Sequence, residues 1–267
     1  MRSSRRLLLA VVLSGALTVT TACTSKKDDK AGGGAAPGST SAAAATAAAR
    51  TDLANAFNKL GGAPYGYTAT TQTGSTGTIK LVGSSNPPKK TSTGKTTVIN
   101  GERQINAEVI VVGTDVYLKV SEELPNVDPD KWMRIDATKT SLGKLGLGSP
   151  DDPANVKGFT DAIVTAEKTG PGAYKGTIDA TKRPLPASAA ALVQQMGDAA
   201  KSVAFEATVG NDGYPTMLKV SMPAVGRTIP PTTNTSTFKD FGKAVTISKP
   251  ANAKVIQAPA SLLSQYA

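Results

Sequence analysis

The sequence predicts an α+β fold, with about ten antiparallel strands and two or three helices. From Tyr65 onward the chain is rich in Thr, Val, Ile and Tyr, broken by turn residues at short intervals. Within those runs apolar residues recur every second position, the mark of a sheet covered on one face. Near 47–60 and 186–200 the apolar spacing switches to that of a helix face.

Each element follows from its residues. Leu53, Ala56, Phe57 and Leu60 stand at i, i+3, i+4 and i+7, which predicts a helix over 47–60. The Ala-rich run from Ala42 to Ala49 extends it naturally, since Ala has the best helix propensity. Gly61-Gly62 stops it and Pro64 prevents a restart. Strands are expected at 65–73, 76–83, 94–100, 104–112 and 115–121, with hairpin corners at Asn100-Gly101 and Gly113-Thr114. In the last of these Val116, Leu118 and Val120 share one face, and Tyr117, Lys119 and Ser121 the other.

A loop over 124–130 leads to a strand at 131–136. The Gly- and Pro-broken stretch 138–153, with Leu142, Leu145 and Leu147 along it, is expected to be a partly apolar flap. A short helix over 153–159 precedes strands at 161–168 and 173–180. Pro186 suits the first turn of a helix over 186–200, whose face is Ala189, Leu192, Val193 and Met196. Strands over 202–210 and 214–222 meet at Asn211-Asp212-Gly213. The Pro/Thr segment 223–237 is read as a loop, and a last strand is placed at 243–249. No internal repeat stands out.

The N-terminus has a different logic. Arg2, Arg5 and Arg6 precede an apolar run from Leu7 to Leu17, the layout of a secretory signal peptide. That run is too short to span a hydrocarbon core of about 30 Å. Val19-Thr20-Thr21-Ala22-Cys23 then resembles the lipobox of bacterial lipoproteins, although that family usually has Leu where Thr20 stands. The resemblance implies a diacylglycerol thioether on Cys23, cleavage before it, and a place on the extracytoplasmic face of the cell membrane. Cys23 is the only cysteine of the chain. The expected organisation is a signal peptide over 1–22, a lipidated Cys and flexible tether over 23–46, and one β-rich domain over 47–267. As a coil, such a tether would span about 25 Å r.m.s..

Composition closes several routes. The chain has no His, which excludes Ser-His-Asp and Cys-His relays and His-ligated metals. One acylated Cys leaves no disulfide, so an exported fold must rest on its core. The formal charge of +10 falls to +7 without residues 1–22, which hold three Arg and no acid. A basic lipoprotein is drawn to an anionic leaflet. The export signal and the scattered Lys residues argue against a nucleic-acid partner.

No catalytic signature emerges, and no cofactor or metal is expected. Glu122-Glu123 and Asp151-Asp152 sit in turn-like sequence, not across a cleft as paired acids must. Gly143-Lys144-Leu145-Gly146-Leu147-Gly148 lacks the closing Gly-Lys-Ser/Thr of a phosphate loop. No Gly-x-Ser-x-Gly elbow is present. What remains is architecture: a curved sheet whose concave face is closed by helices can keep an apolar hollow. The candidates for that hollow, or for a solid core face, are Val109, Val111, Val116, Leu118, Val120, Trp132, Val203, Phe205, Leu218 and Val220.

The order of features is similar to that of the LppX/LprAFG-type lipoproteins of actinobacteria, which have a LolA/LolB-like fold. Lipobox, tether and helix lead to Val116-Tyr117-Leu118-Lys119-Val120, a loop and Lys131-Trp132-Met133-Arg134-Ile135. Tyr174-Lys175-Gly176-Thr177-Ile178 precedes a helix, and a hairpin passes through Gly213-Tyr214-Pro215. Phe238-Lys239-Asp240-Phe241-Gly242-Lys243-Ala244-Val245-Thr246-Ile247-Ser248-Lys249-Pro250 looks like the family's closing strand. The resemblance covers about residues 47–250. It implies a strongly curved half-barrel that holds acyl chains of lipids or glycolipids and carries them through the envelope without catalysis. Family pockets are defined by shape, so no single ligand residue is carried over. An envelope interaction or sensor lipoprotein, docking a protein partner through a surface patch, is the competing expectation.

Overall fold

A computed structural model of the protein describes residues 37–75, 77–121, 127–138, 156–183, 185, 187–226 and 230–259. Its centre is one twelve-stranded sheet. Helix α1 (Pro37–Asn58) tightens into a 3₁₀ turn (Lys59–Gly62) and leads to β1 (Tyr65–Thr73). A meander follows: β2 (Gly77–Asn86), β3 (Thr91–Asn100), β4 (Arg103–Val112), β5 (Asp115–Val120) and β6 (Trp132–Asp136). Helix α2 (Val156–Asp161) opens the second half, with β7 (Ile163–Gly170), β8 (Ala173–Ile178), α3 (Ala187–Met196), β9 (Val203–Val209), β10 (Pro215–Met222) and β11 (Thr232–Lys239). The short β12 (Val255–Gln257) comes last.

The order across the sheet is β12-β6-β5-β4-β3-β2-β1-β11-β10-β9-β8-β7. One meander runs outward from β1 to β6, and the other starts at the far edge with β7 and returns to β11. They meet where β1 pairs with β11, from Gly66 against Lys239 to Thr73 against Thr232. Every pairing is antiparallel except β12 on β6. Asn100 and Arg103 are cross-strand partners, so Gly101 and Glu102 alone make the β3–β4 turn. Gly101 has φ 60°, a left-handed conformation that costs Gly little.

Following the register, one set of alternate positions forms a single continuous face. Ile178, Val203, Phe205, Leu218, Val220, Phe238, Tyr65, Leu81, Ile105, Val109, Val116 and Ile135 all belong to it and are all buried. We call it the inner face. The outer face carries cross-strand ion pairs such as Lys95–Glu108, Glu167–Lys175 and Glu206–Lys219. These exposed pairs each contribute about 1 kcal/mol at most, but they keep that face wet.

Helix α1 lies on the inner face. Ala49, Leu53, Ala56, Phe57 and Leu60 are buried, while Ala43, Ala44, Ala45, Ala47 and Ala48 are exposed. The buried stripe is the one that helical spacing predicts. The helix also starts earlier than expected, so positions 37–46 of the expected tether are helical. Phe57 is the hub. Its ring meets Phe159 of α2 edge-on at 5.3 Å and Phe238 of β11 at 6.2 Å. Phe159 in turn meets Phe205 at 5.1 Å. Such edge-to-face pairs are worth about 0.5–1.5 kcal/mol beyond their burial.

Two sequence expectations for the tail are corrected. Residues 232–237, read as loop, belong to a central strand, β11. Residues 243–249, read as the last strand, form none. The reason is topological. The chain leaves β11 in mid-sheet, where both neighbours, β1 and β10, are already paired. Val245 and Ile247 keep their alternation but have no free edge beside them. The chain finds one only at β6, where β12 pairs in parallel. On the way Lys249 is tied to Asp115 at 2.5 Å, and Lys131 donates to the Ala253 carbonyl at 2.9 Å.

Replacing Phe57 with Ala should lower the unfolding free energy by about 3–5 kcal/mol, read from urea denaturation. A loss under 1 kcal/mol would contradict its role as hub. Hydrogen bonds from Lys249 and then Arg134 hold the Asp115 carboxyl below its ordinary range. Its stabilising effect is therefore complete above the unfolded value near about 3.9 and fades as pH falls below it. Amide exchange at Ala258, which donates to the Arg134 carbonyl, should accelerate below that pH ahead of global unfolding. Asp115→Asn should show the same acceleration at neutral pH.

Candidate functional site

The inner face divides into two apolar areas. The first is the helix-covered half, where Leu53, Phe57, Phe159, Val193 and Met196 pack on Ile178, Val203, Phe205, Leu218, Val220 and Phe238. The second spreads over β4, β5 and β6. Val109, Val111, Val116 and Ile135 form one cluster, and Ile105, Val120 and Met133 another. Among the described residues no helical side chain belongs to either. Leu118 and Ala258 touch both, and Val98, Val127, Ala137 and Ile256 complete their margins.

Between the two areas runs a polar seam. Ser85, Ser92 and Thr96 of β2 and β3 are buried on the inner face. On β1 and β11 the seam continues as hydrogen-bonded side chains. Asn234 donates to the Thr71 hydroxyl at 2.8 Å, and the Thr232 hydroxyl donates to that of Thr73 at 3.4 Å. Tyr67 lies over the seam, its hydroxyl donating to the Thr93 carbonyl at 3.3 Å. The ring fits because Gly83 lies beneath it. A Cβ at Gly83 would collide with the Thr93 carbonyl oxygen and the Tyr67 hydroxyl. Burial pushes the Tyr67 phenol up to about 12.

Nine of the ten sequence candidates lie on the inner face. Val203, Phe205, Leu218 and Val220 belong to the helix-covered area, and Val109, Val111, Val116 and Val120 to the other. Leu118 is half-buried beside them. Trp132 does not join them. Met133 and Ile135 are the inward residues of β6, fully or almost fully buried, so Trp132 and Arg134 project to the outer face. Trp132 is half-buried there, paired in register with Val255. The signal was in the strand itself, because Met133 and Ile135 alternate with Arg134 and Asp136 and leave Trp132 on the charged side. Cys23, Glu122, Glu123, Asp151, Asp152, the Gly143–Gly148 loop and the Leu-bearing flap lie outside the described residues.

Among the described residues no three His, Cys, Asp or Glu side chains gather as a metal site. None of the described helices is long and apolar enough to cross a membrane. Among the described residues the inner face is mainly apolar, with Ser, Thr and Asn side chains along the seam.

No protein-family model matches the sequence. No curated protein matches it either. Among solved structures, the chain is similar to a LolA superfamily protein from Nitrosomonas europaea. That likeness covers 80% of this chain and 96% of the other, at 11% sequence identity and a TM-score of 0.27.

Gly83→Ala should displace the Tyr67 ring and destabilise the fold by about 1–3 kcal/mol, the usual range for overpacking, seen as a lower Tm. The raised pKa of Tyr67 means its contribution is intact below pH ~10 and lost as pH climbs towards ~12. In an alkaline absorbance titration Tyr67→Phe should remove a late-ionising phenol. If it removes one that ionises near 10, the assignment is wrong.

Proposed function

We propose that this protein is a lipid-anchored extracytoplasmic carrier that holds the acyl chain of a lipid or glycolipid against the inner face of its sheet. Cys23 bears the anchor, residues 24–36 lead from it to α1, and the sheet curls strongly, as a half-barrel, around the ligand. One observation carries the reading. The apolar inner face continues over β4, β5 and β6 beyond the area that α1, α2 and α3 cover. Those residues are already buried, and an apolar lining of that extent, on a sheet whose other face is charged, suits an alkyl chain held against it. The sequence supports the address, with a charged start, a short apolar run and a small-residue patch closing on the sole cysteine. Two acyl chains on that cysteine would give stable anchoring, at about 0.8 kcal/mol per buried methylene. No catalytic role is proposed.

The test is direct. The full chain, produced in a host that processes lipoproteins, is extracted with organic solvent and analysed by mass spectrometry. The expected result is a co-purified lipid beyond the anchor itself. Val109→Trp and Leu118→Trp, checked for native circular dichroism, should retain severalfold less of it. Labelled palmitate should enter the wild-type chain and not Cys23→Ala, which should leave the membrane fraction. Protein without lipid, whose crosslinks capture one envelope protein instead, would overturn the carrier reading and favour a docking or sensor role.

A further inference from the structure

The outer face has a site of its own at the β5–β6–β12 edge. Asp115, Tyr117, Arg134, Lys249, Asn252, Val255 and Gln257 line a pocket of about 370 Å³, within the ~300–1,000 Å³ typical of small-ligand sites. It is built by long-range pairing. β5 and β6 present Asp115, Tyr117 and Arg134 side by side, since Asp115 pairs with Asp136 and Tyr117 with Arg134. The tail supplies the far wall as it passes from β11 to β12.

The pocket's donors outnumber its acceptors. Among the described residues Asp115 is its only acid, and two cations share it. Arg134 donates to Asp115 Oδ1 through Nε at 2.8 Å and Nη2 at 2.6 Å, and Lys249 donates to Oδ2 at 2.5 Å. Among the lining residues one carboxylate stands against two cations, a surplus of one positive charge that Asp136, beside Asp115 on the neighbouring strand, partly offsets. A guanidinium has five N–H donors and an ammonium three, so both have N–H groups beyond those that Asp115 accepts. Tyr117 lines the same pocket, and its side chain is almost fully buried there. The Asn252 and Gln257 amides stand at the margin, and Val255 gives one apolar wall.

We propose that this pocket binds a phosphoryl group, with Arg134, Lys249 and Tyr117 as its donors and Asp115 holding the two cations in place. A group with several anionic oxygens can accept from donors on three sides at once and neutralise the surplus charge. A simple alkyl or neutral sugar ligand does neither. The site lies on the opposite face from the apolar surface, so it stands or falls independently of the carrier reading. The phosphoryl group could belong to a small phosphate ester or to a phospholipid headgroup, which share this chemistry.

Calorimetric titration of the purified full-length protein with inorganic phosphate and with glycerol 3-phosphate reads the first source. Sedimentation of the Cys23→Ala chain with phosphatidylglycerol vesicles, against phosphatidylcholine vesicles, reads the second. Binding in either arm should weaken at least about tenfold in Lys249→Gln and in Arg134→Gln, the size of one hydrogen bond to a charged group. Lys249 is half-exposed and lies outside the strands, so its replacement should leave the sheet folded, and a folding defect in the Arg134 variant does not decide the matter. Tyr117→Phe should weaken binding with unchanged stability. Response to the small phosphates alone assigns a soluble ester, and response to phosphatidylglycerol alone assigns a headgroup. No response in either arm, or a response that the Lys249 variant leaves unchanged, overturns the proposal.

Discussion

The ladder between β1 and β11 is the pairing on which the sheet depends. It joins two meanders that no other strand pairing connects, and it closes a loop that runs from Thr73 to Thr232. Closing a loop of that length costs entropy that only the completed ladder and its packing return. Within each meander the contacts are local hairpins, cheap to form. The strands at the junction are also the least apolar of the inner face, with Thr71, Thr73, Thr232, Asn234 and Ser236 between the two clusters. Their backbone ladder and side-chain hydrogen bonds hold where greasy packing does not. Folding speed should follow this one long-range event, with the hairpins in place beforehand.

That junction also explains the division of the inner face. On one side α1 and α2 deliver Phe57 and Phe159 to Phe205 and Phe238, giving a dense aromatic core. On the other side the residues are Val, Ile, Leu and Met, all aliphatic or flexible, with no aromatic ring in either cluster. The aromatic half packs with defined ring geometry, whereas the aliphatic and Met side chains of the other can repack more freely. The polar seam marks the border between them, and Tyr67 bridges it over Gly83.

Period-two and helical spacing made most of the architecture legible. Leu53, Ala56, Phe57 and Leu60 named the buried face of α1, and Val116, Leu118 and Val120 named the inward face of β5. Both signals come from single elements half-covered by apolar contacts. β11 was not legible because its inward positions are Thr, Asn and Ser until Phe238, and polar alternation has no period to read. The segment after it misled for the opposite reason. Val245 and Ile247 alternate, but whether a strand forms depends on a free edge, and edges are set by distant pairing. Trp132 shows the same limit on a smaller scale, since ring size drew attention from the alternation of Met133 and Ile135. The Asp115, Arg134 and Lys249 grouping could not be seen at all. It needs two adjacent strands and a tail segment over a hundred positions away.

A sheet of this size has two ends, and each needs protection from joining a neighbour. At β7 the guard is shape, because the ladder to β8 shifts register twice, between Ile163 and Thr165 and between Lys168 and Gly170. At the other end it is β12, only three residues long, laid along Trp132, Met133 and Arg134. So short a strand offers almost no template to another molecule. Were it peeled away, the bare rim of β6 would invite copies to stack side by side, the first step toward a fibre.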